Sequence, residues 1–63
     1  MSADDRLKAL ERWLIEQEDI AKRNYSAAAM GNDVNRADMF ANRARCFAVA
    51  SEVLQEFIAE NAL

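Results

Sequence analysis

Apolar residues recur along this chain with a helical period, and they cover more of the circumference in its second half than in its first. From Ala3 onward, Leu7, Leu10, Leu14, Ala21, Tyr25 and Ala28 return on one face, widened by Trp13, Ile20 and Ala27. Lys8, Glu11, Arg12, Glu18, Asp19 and Lys22 fall elsewhere, and Ile15 stands alone on the polar side. This pattern predicts an amphipathic helix over residues 3–30, about eight turns long. In the second half, Phe40, Phe47 and Leu54 make one column at heptad spacing, Met39, Cys46 and Val53 a second, and Ala50 and Phe57 a third. Ala37, Ala41, Ala44, Ala48 and Ser51 form a separate stripe of small side chains. An ordinary surface helix carries an apolar stripe of roughly 100° or somewhat more. The helix predicted over residues 34–60 exceeds that, so one neighbour cannot cover it.

Between the two patterns lies the one turn signal, Gly31-Asn32-Asp33. Gly31 is expected to take the left-handed conformation that ends a helix, with Asn32 or Asp33 capping the next. Ser2 is a good N-cap, and Asp4 and Asp5 stand where the helix dipole favours negative charge. A connection of three residues makes the helices antiparallel neighbours. The fold class is therefore all-α: an antiparallel two-helix hairpin forming a single domain over residues 1–63.

Charge points to the same pairing. With the turn at residues 31–33, Arg6, Lys8 and Arg12 fall near Glu52, Glu56 and Glu60. Glu16, Glu18 and Asp19 fall near Arg43 and Arg45, and Lys22 and Arg23 near Asp38. Such pairs, exposed to water, select register and orientation more than they stabilise. Glu56 and Glu60 oppose their own helix dipole, which a basic partner would offset.

These patterns divide the apolar residues between two contacts. Leu7, Leu10, Trp13, Leu14 and Ala21 are expected to pack within the hairpin against Ala37, Ala41, Ala44 and Ala48. Leu10, Trp13 and Leu14 would close its open end against Leu54, Phe57 and Ile58. Met39, Phe40, Arg43, Cys46, Phe47, Ala50, Val53, Leu54 and Phe57 remain as an oligomer interface, most simply that of a homodimeric four-helix bundle. Length agrees with this, because a chain of 63 residues buries only about 60% of its unfolded surface and needs staples or association. A lone cysteine makes no intrachain disulfide, and the absence of histidine removes the commonest zinc ligand. The chain has no apolar run long enough for a membrane span and no basic, signal-like start, which points to the cytoplasm.

Candidate chemistry adds little. Cys46 has no histidine to activate it, and between Met39 and Val53 it is expected to be a small buried hydrophobe. Glu52, Glu56 and Glu60 line one side of the second helix, with Glu16 and Asp19 on the first. Carboxylates on helices hold magnesium in all-α nucleotide pyrophosphohydrolases, but the residues facing these are basic, so ion pairs are expected. No catalytic residue, metal or cofactor is assigned. Gln17, Asn24 and Arg43 interrupt the apolar faces and are candidates for fixing register or oligomeric state.

Arg6, Lys8, Arg12, Lys22 and Arg23 all lie on the first helix, where Trp13 or Tyr25 could stack on bases. In overall plan the chain resembles the Rop-type RNA-binding proteins, short helical hairpins that dimerise into four-helix bundles and present their first helix to RNA loops. That resemblance covers the plan and no residue motif. It implies an alternative function, RNA binding through Lys8, Arg12, Lys22 and Arg23. Nucleic acid is the less favoured partner, since the net charge is −3 and Glu11, Glu16, Glu18 and Asp19 intervene. The favoured expectation is a non-enzymatic adaptor or regulator whose partners are itself and another protein.

Overall fold

A computed structural model describes residues 2–61; Met1, Ala62 and Leu63, the ends of the domain assigned to residues 1–63, lie outside the described residues. Two helices, α1 (Ala3–Met30) and α2 (Val34–Asn61), pack against each other, with no strand among the described residues. The hairpin read from the sequence is the fold that forms.

Each helix end has a local cause. Ser2 is extended, and its Oγ accepts from the Asp5 amide at 3.2 Å, satisfying one of the amides that the first turn leaves free. Asp33 does the same for α2, its Oδ1 accepting from the Arg36 amide at 3.1 Å. At the far end of α2, Asn61 Nδ2 donates to the Phe57 carbonyl at 2.8 Å.

The turn corrects the sequence reading. Gly31 has φ −87°, so the glycine is not left-handed; Asn32 is, at φ 59°. Asn32 donates its amide to the Ala29 carbonyl at 3.1 Å and Asp33 donates to Ala28 at 2.9 Å. That pair of bonds is a Schellman closure with the left-handed residue one place later than the glycine suggested. The offset has a purpose: Asp33 is then both the last residue of the closure and the N-cap of α2. Asparagine tolerates this conformation better than other residues with a Cβ.

Between the helices runs a seam of small side chains. Its buried members are Leu14 and Ala21 from α1 and Ala37, Ala44 and Ser51 from α2, each row at heptad spacing. Leu7, Ala28 and Ile58 continue the two rows as half-buried residues. Ser51, a hydroxyl in this seam, accepts from Gln55 Nε2 at 3.5 Å. Small residues let the backbones approach closely. They also bury little, at about 0.8 kcal/mol per CH₂ group.

The molecule measures 48 × 20 × 11 Å. Its smallest dimension is the thickness of one helix, about 10–12 Å. Stable domains stack two layers around a core, and this hairpin supplies one.

Substitutions at the turn separate its two residues. Asn32→Val should destabilise the chain by about 1–2 kcal/mol, the cost of a left-handed residue with a branched Cβ. Gly31→Ala should be neutral or stabilise by about 0.4–1 kcal/mol through the unfolded chain. A Cβ there meets nothing closer than the Ala27 carbonyl oxygen at 3.6 Å. Urea titrations at one protein concentration measure both, and the reverse ranking would restore the glycine to the role the sequence assigned it.

Candidate interaction face

The two long edges of the hairpin differ. Trp13 of α1 meets Phe47 of α2 edge to face, with ring centroids 5.9 Å apart and planes at 87°. That contact fixes which flanks share a side. Helical spacing then places Leu10, Gln17, Ile20, Asn24 and Ala27 of α1 beside Trp13. Phe40 and Leu54 of α2 lie beside Phe47, followed outward by the row Arg36, Arg43, Ala50 and Phe57 and then by Met39, Cys46 and Val53. We call this side the front. The back carries Glu11, Ile15, Glu18, Lys22 and Tyr25 of α1 and Arg45 and Glu52 of α2.

Large apolar side chains stand in water on both sides, Ile15 and Tyr25 on the back and Val49 on the outer surface of α2 among them, but the front gathers more of them. Leu10, Trp13, Ile20, Met39, Val53 and Phe57 are each about half exposed, and Phe40, Phe47 and Leu54 are half-buried. Of the residues expected to pack within the hairpin, Leu14, Ala21, Ala37 and Ala44 are buried; Leu7, Ala41 and Ala48 are half-buried; Leu10 and Trp13 face the front. Trp13 packs on Phe47, near the middle of α2, a partner the sequence reading did not name. Its ring spans the flank between the helices, where the seam's small side chains leave room.

In the single hairpin the Cys46 thiol is exposed, because the Met39–Cys46–Val53 column points away from α1. Arg43 and Asn24 are exposed as well, and Gln17 is half-buried on the front flank. Ile15 does not stand alone, since it shares a hollow on the back with Ile58, rimmed by Lys8, Glu11 and Arg12. Extending the small-residue column of α2 by one more heptad, from Ser51 to Ile58, would have revealed that neighbour.

The charge blocks do not meet across the hairpin. Among the described residues the ion pairs are Lys22 with Glu18, at 2.7 Å, and Arg23 with Asp19, both within α1. Residues four apart on one helix are already neighbours, while charges on the outer flanks of two helices are not. The Glu18 carboxylate holds the Lys22 ammonium above its usual pKa by accepting its hydrogen bond and through charge attraction. Glu52, Glu56 and Glu60 are exposed along α2, and no three potential metal ligands converge among the described residues. Two of the four basic residues of the RNA alternative, Lys22 and Arg23, thus have acidic partners on their own helix.

Exposed pairs of this kind are screened by salt. The thermal midpoint should move by no more than a few degrees between low salt and half-molar sodium chloride, at fixed protein concentration. A large fall would show charge pairing that the hairpin itself does not contain.

No known protein family, no curated protein and no solved structure matches this chain.

Proposed function

We propose that the chain is a non-enzymatic helical interaction module, an adaptor or regulator that acts through protein–protein contacts as a homo-oligomer, most simply a homodimeric four-helix bundle. The observation that carries this reading is the front face. It joins bulky apolar residues of both helices on one side of a molecule a single helix thick. A compact monomer of 7.1 kDa exposes about 4,100 Å². The hairpin exposes 4998 Å² in all, and an apolar face on so open a molecule is the usual mark of an interaction site.

A bundle formed this way leaves the outer surfaces of both helices open to a further partner, which could add a helix in the same groove geometry. The setting we assign is the cytoplasm; no helix among the described residues is long and apolar enough to cross a membrane. The Rop-like alternative has less support. Lys22 and Arg23 are paired within α1, and Lys8 and Arg12 share their hollow with Glu11.

Size-exclusion chromatography with light scattering tests the reading. At micromolar concentration the mass should be at least twice 7.1 kDa. Met39→Glu with Phe57→Glu should reduce it to one chain, with loss of helicity if the hairpin cannot stand alone. Val49→Glu, on the surface of α2 away from the front, should leave it unchanged. A well-folded monomer of the unsubstituted chain would sink the proposal. Salt-sensitive RNA retention, abolished by charge reversal at Lys22 and Arg23, would favour the alternative.

A further inference from the structure

We infer that a second copy docks front to front with its turn pointing the opposite way, about a two-fold axis passing beside Cys46, an inference that rests on the self-association proposed above. The front is lopsided. Its open end carries the bulk of Leu10, Trp13 and Phe57, whereas its turn end is recessed into a hollow of about 450 Å³ floored by Asn24, Ala27, Ala28 and Phe40 and bounded at the turn by Gly31, Asp33 and Arg36. With both turns at one end, hollow would lie over hollow and bulk over bulk, a void at one end and overpacking at the other. With the turns apart, Leu10 and Trp13 of each copy come over the hollow of the other.

The outward row of α2 has the same polarity. Reversed on itself, it sets Arg36 of one copy against Phe57 of the other and Arg43 against Ala50. A long guanidinium side chain then lies on an aromatic ring or over a single methyl. Charge agrees as well. Arg23, Arg36 and Arg43 stand in the turn half of the front and its rim, and Glu16 and Glu60 in the open half. Docking with the turns apart brings Arg36 toward Glu60 and Arg23 toward Glu16. It also brings Arg6, the basic residue of the open end, toward Asp33 beside the hollow. Docking with the turns together would set Arg43 against Arg23. The approach of Arg36 further gives Glu60, which opposes its own helix dipole, the basic neighbour it lacks within the hairpin. Such an interface is isologous, each patch meeting its own copy.

The natural chain carries its own reporter, because Cys46 is the only cysteine, is exposed, and lies near the midpoint of α2. A bis-maleimide with an ethylene linker should convert most of the native protein to a covalent dimer, and almost none in denaturant at equal concentration. The counter-probe is Gly31→Cys in a Cys46→Ser chain. The added side chain has room at the turn, with the nearest atom to its Cβ 3.6 Å away. It should stay uncross-linked, since turns pointing apart lie at opposite ends of a 48 Å molecule. Light scattering on the same samples separates the failures. A monomer overturns self-association and the docking with it. A dimer that cross-links at position 31 and not at Cys46, or at neither, overturns the docking alone.

Discussion

The hairpin depends on a close approach between two helices that offer each other mostly methyl groups. Ala21, Ala37, Ala44 and Ser51 are the buried members of the seam together with Leu14, and no aromatic side chain is among them. The larger residues are displaced to the flanks. Trp13 and Phe47 meet there, over the gap between the helices rather than within it. A seam without aromatic residues thus leaves them to form the front face. The same choice keeps the molecule one layer thick.

The seam is graded, with Leu7, Leu14 and Ile58 toward the open end and alanines toward the turn, so a shift of one heptad would set large side chains against positions that now hold small ones. Two further features restrict the register. The turn joins the helices through a Schellman closure and an N-cap that share Asp33, which leaves little slack in the connection. The edge-to-face contact of Trp13 and Phe47 adds one large, directional pairing. Register here is shared between the covalent link, one aromatic contact and the graded seam.

Much of the hairpin was legible because helical period, caps and the absence of other turn residues all agreed. The left-handed residue was misplaced because glycine is the usual occupant of such a position, and no local signal marks when asparagine takes it instead. The difference lies in how many residues α2 needs for its own cap. Charge misled for another reason. Residues opposite each other by chain count are level along the axis, but being level does not place two side chains on the same flank. Glu18 and Asp19 reach the fourth residue on their own helix before they reach across. Its position between Met39 and Val53 makes Cys46 part of an apolar column, and in the single hairpin that column has no partner. The division of α2 into a seam stripe and outward columns came from spacing alone, and its flanks became recognisable once one cross-helix contact was known.

Both helices contain 28 residues, four heptads apiece, joined so that they run side by side over their whole length. The rod is therefore quantised. Loss or gain of one residue inside either helix would turn every side chain beyond it by about 100°, taking seam residues out of the seam and front residues off the front. Removal of one heptad from each helix would instead shorten the rod by about 10 Å and leave the faces in phase. A change of seven residues in both helices together is thus the internal change in length that leaves seam and front in register.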